Sequence, residues 1–341
     1  MDYGRIGLVR DDRDGISIRV IENIIGPPDY SELFKPEGGQ MPDQTIVLEN
    51  EFGSAVISPF AGASLRSLNV VSSGERYELI SGGDGQYDPN HVESGTGSFI
   101  MAPWPNRITD GKLYMNGEVA HTLPTDGDRH SQHGTVRERA WSTLACSGTA
   151  ARFGVELQPP WPYPGYLEYE VKLDGPSLVQ SFTATDSGGV DYPFGIGWHP
   201  WFRRDLGSGP VVVHIPGQEI VWELDEEMVS TGRHLEPDGP TDLRSPVTPG
   251  IGSLDHCFRV SAGSRSFLGW PDRPTLAINS SHNVSHLQVY TPEDAICVEP
   301  QTCAVDAFRL GAEGHEGTGA LVVTGAEPAT GWTRWSWKGV Y

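Results

Sequence analysis

Along most of the chain, hydrophobic and polar residues alternate in short runs instead of recurring at helical spacing. Runs at 45–48, 55–57, 167–173, 211–215 and 287–290 alternate or are β-branched, with turn-forming residues around them. This is the signature of short strands. Apolar spacing of i, i+3, i+4, i+7 is not sustained over twelve residues anywhere, so the pattern predicts an all-β protein, built as two packed antiparallel sheets. Glycine and proline sharpen that expectation. With Gly 42 and Pro 27 in 341 residues, turn formers exceed the roughly 12% of average usage.

Residues 1–41 read differently, with one strand at 17–21 followed by polar stretches that contain Gly26-Pro27-Pro28 and Pro36-Glu37-Gly38-Gly39. We expect an N-terminal extension over 1–41 and a single domain over 42–341, because no linker, repeat or low-complexity block interrupts the remainder. The glycine-rich stretch 81–97 is expected to be a long surface loop.

Charge narrows the partners. The formal net charge is -21, which repels phosphate backbones and anionic bilayers, so neither nucleic acid nor a membrane surface is an expected partner. Cys146, Cys257, Cys297 and Cys303 form no CxxC pair, and four cysteines in a chain this long do not make a disulfide framework. Together with a charged start that lacks the apolar core of a signal peptide, they suggest reduced thiols and a cytoplasmic location. On that expectation the sequons at Asn279 and Asn283 are not glycosylated.

The densest chemistry lies in Gly197-Trp198-His199-Pro200-Trp201-Phe202. One titratable imidazole stands among large aromatic side chains, two of which carry a polar N–H. Trp198 and Trp201 are therefore candidate sugar-contacting residues.

Four other segments can complete a site. Asn106 and Arg107 follow Pro103-Trp104-Pro105; the guanidinium offers several fixed donors, or it is a surface arginine in a turn. His133 follows the loop 126–131, where Asp128, His130 and His133 invite comparison with metal ligands, although no familiar zinc spacing is present. Asp255 precedes a strand and is either a ligand-holding carboxylate or a turn cap. Glu299 follows an apolar run and precedes Pro300, at a strand end where burial raises a carboxyl pKa or where an edge leaves it solvated. His282 and His286 lie four apart in a segment read as strand, so they are not expected to converge. No G-x-S-x-G elbow, Walker loop or dinucleotide-binding turn is present. Cofactor-free, metal-free acid–base chemistry is what these residue types allow.

Taken in order, Asn106-Arg107-Ile108, His133-Gly134, His199-Pro200, Asp255 and Glu299-Pro300-Gln301-Thr302 resemble the aldose 1-epimerase (galactose mutarotase) family from about residue 45 onward. The resemblance implies a large antiparallel β-supersandwich with a sugar cleft. It implies Glu299 as general base, His199 as general acid, and Arg107, His133 and Asp255, with Asn106 beside them, as the residues that hold the sugar. Such a pair requires an ionised Glu299 and an at least partly protonated His199, hence a bell-shaped pH profile. On this reading a flat profile between about pH 5 and 8 counts against His199. Where the family often continues its histidine-proline motif with an aromatic pair and asparagine, this chain has Trp201-Phe202-Arg203-Arg204. Arg203 and Arg204 would suit an anionic sugar, or they are solvated loop charges.

Overall fold

The computed structural model describes residues 5–10, 16–21, 45–82, 91, 94–125, 127 and 129–338. Asp128 and most of the expected 81–97 loop lie outside the described residues. The chain divides into two compact units, Met1–Pro42 and Asp43–Tyr341. In the first, Arg5–Arg10 pairs antiparallel with Ile16–Ile21. The sequence reading found only the second of these strands, because charged ends and a central glycine blur the alternation of the first.

The second unit is built on two large antiparallel sheets. The eight-stranded sheet runs from Ser142–Cys146 through Ala150–Leu157, Gly165–Leu173, Ser177–Asp186, Ala329–Lys338, Thr275–Ser280 and Arg265–Gly269 to Val212–His214. At the centre of the twelve-stranded sheet lie, side by side, Asp255–Val260, His286–Tyr290, Ala295–Gln301, Gly197–Pro200 and Ser98–Met101. The all-β architecture is the one the alternation predicts. The six-residue helix Ala307–Ala312 is too short to leave a helical period in the pattern.

Alternation along these central strands decides which side chains form the core and which form a site, since successive residues point to opposite faces. Ile100, Trp198, Phe258, Leu287, Val289, Ile296 and Val298 join one buried cluster with Phe153, Leu167, Phe182 and Trp335 of the other sheet. Phe182 to Trp198, with ring centroids 6.2 Å apart, is one point where the two sheets meet. On the opposite face, directly paired residues share a side. Gln288 is opposite both Glu299 and Cys257, Tyr290 is opposite both Cys297 and Asp255, and His199 is opposite Phe99. The register thus gathers Phe99, His199, Cys297, Glu299, Gln288 and Asp255 on one outer face.

One end of that face is covered. Ala304, Val305 and Leu310 pack on Trp222 and Cys257, and Asp306 holds this segment by accepting hydrogen bonds from Thr109 and from Arg309.

Candidate active site

Glu299 sits in the middle of a central strand and is 2% exposed, with His199 on the neighbouring strand 7% exposed. Their Oε1 and Nε2 atoms are 3.5 Å apart. The solvated edge position considered for Glu299 is thereby excluded. Phe99 stacks on one side of the His199 ring, centroids 4.7 Å apart, and Trp201 on the other at 5.1 Å. His133 meets the ring edge-on at 5.4 Å. This aromatic sandwich fixes the imidazole plane and removes water from its faces.

Two residues in left-handed backbone conformations bring up Arg107 and His133. Asn106 and His133 have φ of 56° and 57°, a conformation that costs a non-glycine residue about 1–3 kcal/mol and that clusters at functional sites. The turn pair is locked by the His133 N–H donating to the Asn106 carbonyl at 2.9 Å and by Arg107 pairing with Gln132 in a two-residue ladder. Gly134 then passes so close to Ala102 that an added Cβ would lie 1.9 Å from the Ala102 carbonyl oxygen. Arg107 also donates to Asn106 Oδ1 at 3.2 Å. From the other side Gln288 donates to Asp255 Oδ1 at 2.5 Å.

Burial dominates the electrostatics. It pushes the Glu299 carboxyl well above its usual range; the like charge of Asp255 adds to that shift, and Arg107 opposes it. Burial pushes His199 down to about 3, and His133 well below the ordinary histidine value, with the His199 and arginine charges adding to the effect. The expected ionised Glu299 and partly protonated His199 are therefore both opposed by their surroundings: desolvation outweighs the partner. Both members of the pair are driven toward their neutral forms, and at this distance they titrate as one coupled pair.

Trp198 is also corrected. It is 1% exposed in the core between the sheets, because it precedes His199 on the same strand and so points the other way. Arg204 spends its guanidinium on the carbonyls of Pro249, Pro292 and Ala295. With Arg203, Asp205, Glu293 and Asp294 it lines a polar pocket of about 490 Å³ whose walls include neither His199 nor Glu299. His130 does not join a ligand cluster with His133 among the described residues; the His, Cys and carboxylate group that converges is His199, Cys297 and Glu299, with ligand atoms within 4.8 Å of one another.

The sequence reading missed four site residues: Phe99, Gln288, Cys297 and Arg137, whose guanidinium lies over the Phe99 ring at 5.7 Å. Cys297 carries a usable signal, since it lies two residues before Glu299 on the same strand. His199 Nδ1, His133 Nδ1, Gln288 Oε1 and Trp201 Nε1 are buried without a protein partner among the described residues. Buried polar atoms are seldom left unpaired; four around one acid–base pair are what a polyhydroxylated ligand can satisfy.

Comparison with known proteins gives the family and the fold. The aldose 1-epimerase family model matches residues 44–316. The chain belongs to the aldose 1-epimerase family. Among curated proteins, it is 23% identical over 222 residues to the uncharacterized protein YihR of Escherichia coli (strain K12), covering 62% of this chain and 71% of that relative. Solved structures share the fold: the GalM/aldose epimerase homologue from C. elegans has a TM-score of 0.74 at 17% identity, over 87% of this chain and 99% of that one. The galactose 1-epimerase from Lactobacillus acidophilus NCFM has a TM-score of 0.70 at 16% identity, over 99% of this chain and all (100%) of its own. Membership thus carries carbohydrate-directed isomerase chemistry as the family character of this fold. No helix among the described residues is long and apolar enough to cross a membrane.

Proposed function

We propose that the protein is a mutarotase that interconverts the α and β anomers of a free aldose, with Glu299 as base and His199 as acid. The observation that carries this reading is the buried Glu299–His199 pair, 3.5 Å apart, on a sheet face that also holds Arg107, His133, Asn106 and Asp255.

Ring opening needs two proton transfers in opposite senses. Glu299 takes the proton of the C1 hydroxyl while His199 gives one to the ring oxygen; the C1–O5 bond breaks and C1 becomes an aldehyde carbonyl. After rotation about C1–C2, the O5 hydroxyl adds to the other face and the two transfers run in reverse. The pair starts as carboxylate and imidazolium and ends as carboxylic acid and neutral imidazole, so it carries one proton throughout. Burial, which favours the neutral forms, favours the opened state, and Arg107 supports the charged form of Glu299 at the start. Each positioned acid or base contributes about 10²- to 10⁴-fold.

This proton count revises the expected pH profile. Activity persists while the pair holds one proton, so the acidic limb falls well below the ordinary histidine value and the alkaline limb well above the ordinary carboxyl value. A profile without a limb at the ordinary histidine value is then compatible with His199 as the acid.

A neutral aldose fits better than an anionic one, since Arg204 is committed to backbone carbonyls. The four free thiols support a reducing, cytoplasmic setting. The test is polarimetry on freshly dissolved α anomers of a panel of neutral, acidic and phosphorylated aldoses. Acceleration of at least one neutral aldose is expected. Binding without acceleration of any member would replace the enzyme with a sugar-binding protein on the same fold.

A further inference from the structure

The acid–base pair is flanked by a third group that ring opening does not use. Cys297 lies two residues before Glu299 on the same strand, so both point to the same face, and its Sγ lies within 4.8 Å of the ligand atoms of His199 and Glu299. Thiol, imidazole and carboxylate are the three donor types that zinc takes in proteins. Zinc bonds to nitrogen and oxygen of about 2.0–2.2 Å in a tetrahedron put those two ligand atoms roughly 3.3–3.5 Å apart. The observed separation of Nε2 and Oε1 is 3.5 Å, so this edge is already formed. With the thiol within 4.8 Å of both, closing the other edges requires it to approach by no more than about 1 Å, within the reach of a side-chain rotation.

Asp255 adds its negative charge to that of Glu299 and attracts a cation, while Arg107 and Arg137 face the pair and oppose it. Burial and the two carboxylates hold the Cys297 thiol well above its ordinary range, so the ion has to displace the thiol proton as it binds. The side chain of His199 retains 9% exposure, which leaves its ring reachable from the cleft side.

The geometry points to a zinc-binding site made of His199 Nε2, Cys297 Sγ and a Glu299 carboxylate oxygen, whose occupation blocks the enzyme. Three protein ligands leave a fourth position for water or a sugar hydroxyl. A bound cation uses the same nitrogen and oxygen lone pairs that must exchange protons, so it inhibits instead of assisting. This makes the mutarotase sensitive to a thiophilic divalent ion through a residue that is not part of its chemistry. The inhibition rests on the mutarotase reading; the binding does not.

Cobalt(II) titration of the purified full chain, followed by absorption, tests the site without any sugar. One equivalent should give tetrahedral d–d bands with a thiolate-to-cobalt charge-transfer band, and zinc should displace it. Cys297→Ser, and Cys297→Ala as a second variant, should abolish the charge-transfer band, and Cys146→Ser, which removes the exposed thiol, should leave it. In rate assays, zinc at half-inhibition should rise at least tenfold in Cys297→Ser. Absence of the charge-transfer band, its loss in Cys146→Ser instead, or equal zinc sensitivity of wild type and Cys297→Ser would overturn the site. If no aldose is turned over, the mutarotase reading fails, and the cobalt spectra still decide the metal site by themselves.

Discussion

His199 and His286 are both buried on the outer face of the same sheet, yet their surroundings differ. His286, at 0% exposure, lies at the covered end. Its Nδ1 is 3.1 Å from the Thr302 carbonyl and 3.0 Å from Ser285 Oγ, and Gly319 packs so tightly on the ring that an added Cβ would come within 2.9 Å. His199 has a carboxylate at 3.5 Å and a side chain that keeps 9% exposure, while each ring has one buried nitrogen without a protein partner among the described residues, Nδ1 in His199 and Nε2 in His286. Burial lowers both pKa values, to about 4 for His286 and about 3 for His199. A depressed histidine is therefore not enough to mark an acid. What distinguishes the catalytic candidate is a partner that can take the other half of a proton exchange and a side left for ligand.

The strongest way to break the comparison is Glu299→Gln, which keeps the shape and removes the proposed base. The expected loss is about 10²–10⁴-fold in kcat by polarimetry, with an unchanged or higher Tm, since an amide is cheaper to bury than a carboxylate. Retained activity would strip Glu299 of its role. Next in size is Trp198→Ala, one residue from His199 but facing the core. It should cost about 3–5 kcal/mol of stability in urea unfolding and leave KM of the folded fraction near its wild-type value. A large rise in KM without loss of stability would place Trp198 at the sugar after all.

His286→Gln tests the other end. The loss of its packed ring and hydrogen bonds should cost about 1–3 kcal/mol with kcat within about twofold of wild type. It should also change the pH dependence of stability, and the sign follows from linkage. The folded pKa of His286, about 4, lies below the unfolded value of about 6.5. As pH falls from about 6.5 the unfolded chain binds the proton first, so stability is full above 6.5 and is lost toward pH 4. The contribution is at most about 3 kcal/mol, and His286→Gln should flatten that part of the curve. Glu299, raised when folded, acts with the opposite sign: its contribution is present below the unfolded carboxyl pKa and declines as pH rises. An unaltered acid slope in His286→Gln would show that its imidazole is not the buried titrating group.

The two-sheet fold was legible because strand alternation is local: the runs at 167–173 and 287–290 announce a buried face every second residue. Glu299 and His199 were legible through motifs that keep their order along the chain. Partners contributed by other strands were not. Phe99 and His199 stack across a hundred residues of sequence, and Gln288 reaches Asp255 only through strand pairing, so neither contact leaves a spacing to read. Trp198 was misplaced because a motif names neighbours without saying that adjacent residues on a strand point apart. The protonation state was misjudged for a related reason, since desolvation depends on the Phe99 and Trp201 rings that enclose His199 in space.

Arg204→Ala should give the smallest effect. Its guanidinium holds three carbonyls away from the acid–base pair, so KM for a neutral aldose should move by less than about twofold. A rise of tenfold or more confined to acidic sugars would bring back the anionic substrate.

If Glu299 and His199 act as one unit that carries a single proton, the kcat of Glu299→Gln, His199→Asn and their double mutant shows it directly. Residues that act as a unit are strongly non-additive, so the double mutant is predicted to lose about as much as either single mutant. Losses that multiply would contradict the shared proton and leave two independent contributions.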